Sequence, residues 1–205
     1  MSKNTAFVIG NGASRKGFNL NLLRDHGTTY GCNLLYRESD NFAFPDYTVS
    51  IEDYRKEMIA GDKFPKNRCI FPPEEEQYEN VQYYKDTMDI ETKRGRRSNA
   101  GMNALEAAIK KGAPFIYILG FDFMINGEGA VSNMFSGKAS TRCSFEDSQN
   151  RVKYYDWFCM QHPDVTFMMV FPRNQEIFYH KLEAINTRGM FSDALEDAIR
   201  TSNNK

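Results

Sequence analysis

The sequence predicts one doubly wound α/β domain, a mostly parallel sheet with helices on both faces and a loop-rich lid. Three observations predict it. Short apolar runs alternate with helical patterns through the first 125 residues, the order that builds βαβ units. The run Phe115–Leu119 is apolar throughout, as strands covered on both faces are. A chain of 205 residues can bury a substantial core as a single domain, 1–205, in which 74–97 and 126–147 read as lid or insertion loops.

Taken in order, Phe7–Gly10 is the first strand, and a helix carrying Leu20, Leu22 and Leu23 is expected after it. Thr28–Asn33 and Tyr47–Ile51 read as the second and third strands. A helix through Tyr54, Met58 and Ile59 follows Glu52-Asp53, and Arg68–Phe71 is a fourth strand stopped by Pro72-Pro73. The charged, tyrosine-rich stretch Glu74–Arg97 is either a solvated loop or a lid bringing Lys93, Arg94, Arg96 and Arg97 to a phosphate. Next comes the clearest helix, with Met102, Leu105, Ala108 and Ile109 on one face, Ser98 or Asn99 to cap it and Gly112 to end it. Phe115–Leu119 terminates in Gly120-Phe121-Asp122-Phe123. Asn126–Asp147 has no regular period and reads as loop, the length of an active-site lid. Glu146–Gln161 is helical, Val165–Phe171 is a last strand whose Met168 and Met169 are core, and everything from Gln175 onward reads as helix, with Ser192 as a cap.

The chemistry concentrates at the strand ends. Phe7-Val8-Ile9-Gly10-Asn11-Gly12-Ala13-Ser14 runs an apolar strand into two glycines around an asparagine. Glycine allows a sharp turn with no Cβ in the way of a ligand, and a following helix would aim free N–H groups at an anion. A plain strand-to-helix turn uses the same residues, and the stretch is neither Gly-x-Gly-x-x-Gly nor a P-loop. Ligands of such sheets sit at the carboxyl ends of the strands, which makes Asn11, Asn33 and Asp53 candidates to line one crevice. Asp122 is a ligand contact or a cap for a neighbouring loop.

Composition narrows the partners. Twenty-six basic and 27 acidic residues leave no field favouring nucleic acid or a membrane surface. No run approaches the roughly 20 apolar residues of a spanning helix, and the first apolar segment is too short for a signal peptide. Cys32, Cys69, Cys143 and Cys159 form no Cys-x-x-Cys pair, so buried thiols in a reducing cytoplasm are favoured over disulfides or a metal site. His26, His162 and His180 read as structural or surface residues.

Three ordered blocks carry a resemblance: Gly10-Asn11-Gly12-Ala13-Ser14, Gly31-Cys32-Asn33-Leu34-Leu35-Tyr36-Arg37, and Gly101 to Phe123. They resemble the bacterial CMP-sialic acid sialyltransferases of glycosyltransferase family 42 and the related motility-accessory and pterin-diphosphokinase-like proteins. Those carry a Gly-Asn-Gly-Pro-Ser loop, a Cys-Asn strand end and a strand reading Ile-Tyr-Leu-x-Gly-x-Asp-Phe. The resemblance covers roughly residues 5–125. It implies a Rossmann-like, GT-A-variant-like fold that uses a CMP-sugar donor with no metal, and a small-molecule or glycan acceptor.

By the same resemblance, Asn11 and Ser14 would meet the nucleotide's phosphate and ribose, with Asn33 beside the donor and Arg97 by the donor sugar. Gly10 and Gly12 of the cradle, Asp53 and Asp122 at their strand ends, and Asn99, Ala100 and Gly101 at the helix start are the other nucleotide-site candidates. The departures are specific. Ala100 replaces a serine, Met124 and Ala130 replace two tyrosines that help neutralise the leaving phosphate, and Thr141–Asp147 contains no histidine where the family keeps its base. Asp147, Glu146 or Asp122 then remain as bases, and Arg97 or Arg142 as electrophiles. The expectation is a nucleotide-dependent transferase, most simply a glycosyltransferase, with homo-oligomers possible. A diphosphokinase-like enzyme holding ATP and magnesium through Asp53 and Asp122, and a non-catalytic nucleotide-binding module, are the alternatives.

Overall fold

A computed structural model describes residues 4–72, 99–124, 130–131, 134, 141–142, 145–174 and 182–203. Nine strands are placed among them: β1 (Thr5–Ile9), β2 (Thr28–Cys32), β3 (Tyr47–Val49), β4 (Cys69–Ile70), β5 (Phe115–Leu119), β6 (Ala130–Val131), β7 (Thr141–Arg142), β8 (Thr166–Phe171) and β9 (Thr187–Phe191). The helices are α1 (Asp53–Gly61), α2 (Ala100–Lys110), α3 (Phe145–Gln161) and α4 (Ser192–Asn203).

Seven strands form one parallel sheet in the order β4-β3-β2-β1-β5-β8-β9. The fold is therefore Rossmann-like and doubly wound. β1 lies at its centre, Phe7 opposing Thr29 on one side and Tyr117 on the other. The chain winds outward from β1 to β4, then returns to lay β5 on the other side of β1. That reversal makes the gap beyond β1 and β5 the topological switch point, where ligands of such sheets bind.

Alternation along the strands divides the core by face. Ala6, Val8, Ile116 and Ile118 pack against Leu105 of α2 and Tyr155 and Phe158 of α3. Phe7, Ile9, Tyr117 and Leu119 pack on the other face with Leu23, Leu35 and the α4 residues Leu195 and Ile199. Phe7, Val8 and Ile9 are wholly buried, which is why β1 reads as an unbroken apolar run. α2 is bounded locally. The Asn99 side chain accepts from Met102 N at 3.0 Å, and Gly112, at φ +82°, closes the far end.

Three expectations need correction. No α-helix follows β1: residues Ala13–Arg15 and Leu20–Leu23 form only short 3₁₀ turns. The Arg15 side chain folds back onto the Gly10 carbonyl, and Gly17 at φ +93° breaks the path. The segment after Gln175 is not all helix, because β9 pairs in parallel with β8. Arg188 and Gly189 are exposed there, so this edge strand carries no apolar run. Within Asn126–Asp147, β6 and β7 pair as a short antiparallel ribbon and α3 has already begun at Phe145. The 74–97 stretch lies outside the described residues.

Candidate functional site

At the switch point the backbones of two strand ends almost touch. Gly10 N donates to Leu119 O at 2.8 Å and Gly12 N to Gly120 O at 3.0 Å, continuing the β1–β5 pairing past both strands. Gly12 has no room for a side chain, since a Cβ there would sit 2.0 Å from Asp122 Oδ1. Gly120 adopts φ +70°, which turns the chain so that Asp122 comes back beneath the turn. Asp122 is buried and accepts weakly from Ser14 N at 3.3 Å.

Arg15 holds this turn from below. Its Nε donates to Gly10 O at 2.7 Å, and its two terminal nitrogens donate to the Glu38 carboxylate at 2.8 and 2.7 Å. The fork-to-fork pairing fixes a planar cation whose side chain is only 3% exposed. Arg15 thereby ties the end of β1 to the turn that follows β2.

Asn11 bridges to the neighbouring strand, its Nδ2 donating to Cys32 O at 3.1 Å. That bond fixes the amide, and its Oδ1 is buried with no partner among the described residues. Asn33 stands beside it in the left-handed conformation, φ +54°, which ends β2. Its Oδ1 accepts from Ser50 Oγ at 2.9 Å and its carbonyl from Thr48 Oγ1 at 2.8 Å, so the remaining hydrogen-bonding group of the side chain is the Nδ2 donor. Burial pushes the Cys32 thiol up to about 12, with Arg15 pulling weakly the other way, so it is no thiolate nucleophile.

The start of α2 closes the other side. Asn99, Ala100 and Gly101 line a cleft of about 150 Å³ together with Gly10, Asn11, Gly12, Asn33 and Asp122. The first helical N–H groups, those of Ala100 and Gly101, have no acceptor within the helix by its geometry and carry its positive end. The anion-attracting helix at this site is therefore α2, not a helix after the glycine turn. Arg151 of α3 also lines the cleft and is its one cation among the described lining residues. Sequence reading missed it, because an arginine in the solvated face of a helix looks like any other. Met134, which follows β6 in the chain, donates its N–H to Asn11 O at 2.9 Å and so meets the glycine turn.

The remaining candidates fall elsewhere. Ser14 does not line the cleft. It is buried beneath the turn, and its Oγ has no partner among the described residues. Asp53 is almost fully exposed at the start of α1, 3.1 Å from Lys56, and is not a lining residue. Asp53 and Asp122 are thus not brought together in this cleft. Glu146 and Asp147 belong to the first turn of α3 and Arg142 to β7, while their side chains and all of Arg97 lie outside the described residues. His26 Nδ1 is 3.3 Å from Ser202 Oγ, linking the β1–β2 connection to α4. His162 is half-buried against Phe158, and burial lowers its pKa, so it is less a surface residue than expected. His180 lies outside the described residues. Cys32, Cys69 and Cys159 are free thiols, and no described helix is long and apolar enough to cross a membrane. Compared with known proteins, the chain matches no family model, no curated protein and no solved structure.

Proposed function

We propose that the cleft beyond β1 and β5 binds a nucleotide and that the protein is a nucleotide-dependent transferase, using a nucleotide-activated sugar of the CMP-sialic-acid type. One observation carries the reading. The glycine turn, the free N–H groups of α2 and the Arg151 cation converge on one cleft at the switch point, beside a buried Asn11 Oδ1 that lacks a donor. Phosphate oxygens suit the α2 N–H groups and Arg151, and a ligand hydroxyl suits Asn11. An unmade bond at a buried amide oxygen costs about 1–3 kcal/mol, which a ligand donor would recover.

In this reading Arg151, together with Arg97, neutralises the leaving phosphate in place of the tyrosines absent at Met124 and Ala130. The base is a carboxylate at the start of α3. Asp147 stands one helical turn ahead of Arg151, which favours it over Glu146. Met134, bonded to Asn11 O, is suited to cover the donor and keep water from it. The diphosphokinase alternative is weakened by the separation of Asp53 from the cleft. Buried thiols at Cys32 and Cys159 favour a cytoplasmic setting.

A thermal-shift panel of CMP, UMP and ATP, each with and without magnesium, tests the reading, because a ligand of the native state stabilises it by mass action. CMP raising the melting temperature without metal is the expected result, and stabilisation by magnesium-ATP alone would replace the glycosyltransferase reading with the kinase. Arg151→Met is expected to weaken CMP binding roughly tenfold with the melting temperature little changed. Asp147→Asn is expected to lower turnover by about a hundredfold or more while CMP still binds. If CMP binds but Asp147→Asn and Glu146→Gln both leave turnover of a CMP-sugar donor intact, the base assignment fails.

A further inference from the structure

We propose that the protein carries a second ligand site, at the amino ends of β1, β2 and β3 under the last turn of α2, and that it takes a small aromatic carboxylate. A cavity of about 330 Å³ opens there. That is the low end of the roughly 300–1,000 Å³ of small-molecule sites, enough for a single ring with an acidic group.

Tyr30 supplies the polar floor. The residue is 1% exposed and lines the cavity. Its ring stacks on Tyr47 at 5.4 Å, which holds the hydroxyl in place. Burial first, then the neighbouring Tyr47 and Asp46, raise its pKa, so it stays a donor. An anionic oxygen entering the cavity would accept from this hydroxyl.

Lys111 supplies the charge. Its ammonium lies 4.5 Å from the Tyr47 ring centre and 3.4 Å from the Tyr47 hydroxyl. Among the described residues no carboxylate lines the cavity, and Asp46 nearby is already committed to Thr29 N and Oγ1 at 2.8 and 2.7 Å. The end of a helix ordinarily repels anions. Here the last carbonyls of α2 are occupied: Ala107 O by Lys111 N, Ala108 O by Ala113 N and Ile109 O by Gly112 N, at 2.8–3.1 Å. The remaining walls mix Ala6, Ala108 and Ala113 with the polar Asn4, Thr5 and Thr28, so the apolar contacts open to a ring are these methyls and the tyrosine rings. A carboxylate placed between Lys111 and the Tyr30 hydroxyl, with its ring against those contacts, uses both.

The site stands at the opposite end of α2 from the nucleotide cleft and does not depend on it. The test titrates benzoate, its neutral isostere benzamide, and inorganic phosphate into the full chain, by calorimetry and by NMR of the tyrosine rings. Benzoate is expected to bind and to shift Tyr30 and Tyr47 resonances, with benzamide and phosphate at least roughly tenfold weaker. Lys111→Met, at an exposed position, is expected to fold normally and to weaken benzoate roughly tenfold. Tyr30→Phe keeps the stacked ring and weakens benzoate about fivefold. CMP affinity is expected to be unchanged in both variants, so this proposal and the nucleotide reading stand or fall separately. No benzoate binding, equal binding of benzoate and benzamide, phosphate binding as tight as benzoate, or benzoate affinity unaltered in Lys111→Met would overturn it.

Discussion

The two walls of the carboxyl-end cleft are ordered by different means. The turn after β1 is held by residues far away in the chain. Arg15 reaches Glu38, 23 positions on, and Ser14 N meets Asp122, 108 positions on, while Gly12 N meets Gly120 O. The start of α2 is held by near neighbours, Asn99 Oδ1 capping Met102 N three residues later and Asn99 O accepting from Asn103 Nδ2 four residues later. The first wall exists only once β1, β2 and β5 are assembled, so its order is part of the global fold. The second has its cap within its own segment, and its tight long-range contact is Gly101 against the Phe121 ring.

Gly12→Ala strikes the long-range wall hardest. A Cβ 2.0 Å from the Asp122 carboxylate forces apart two strand ends that cannot relax cheaply. The expected loss is about 2–3 kcal/mol in denaturant unfolding, with nucleotide binding abolished. A variant of wild-type stability would mean that the β1 turn moves freely and is not fixed from β5.

Arg15→Met is expected to cost about 2–3 kcal/mol, a little under the range for a buried ion pair because Glu38 is 27% exposed. The double variant Arg15→Met with Glu38→Met sharpens the point, since the carboxylate is no longer left unpaired. It is expected to recover part of the loss, and additive single effects would show that the pair does not act as a unit.

Asn99→Ala removes one local cap. About 1 kcal/mol is expected. Hydrogen exchange should quicken at the first amides of α2 and stay unchanged at Gly10 and Gly12. Faster exchange at both walls would erase the distinction between them.

The same contrast decides what the sequence could reveal. α2 is legible because its cap at Asn99, its apolar face and its stop at Gly112 all lie within one short window. β1 and β5 are legible because burial on both faces demands unbroken apolar runs. The turn after β1 does not lead into a helix because Gly17 breaks the path and Arg15 is held by Gly10 O and Glu38, partners that become neighbours only in the folded chain. β9 was missed because an edge strand needs neither of its exposed residues, Arg188 and Gly189, to be apolar. Within the cleft, Asn11, Asn33, Asn99 and Asp122 were accessible to reasoning from strand and helix ends. Arg151 was not, since no spacing relates it to those ends.

The two walls, so differently made, are proposed to grip one ligand together. Titrating CMP into isotope-labelled protein and following backbone amides tests it most directly. The Gly10–Gly12 and Ala100–Gly101 amides are expected to shift along a single binding isotherm, and Asn11→Ala, which loses the Cys32 O bond at a cost of about 1 kcal/mol, is expected to abolish both sets of shifts while remaining folded. Shifts confined to one wall, or the absence of any at CMP concentrations that saturate nucleotide enzymes, would contradict it.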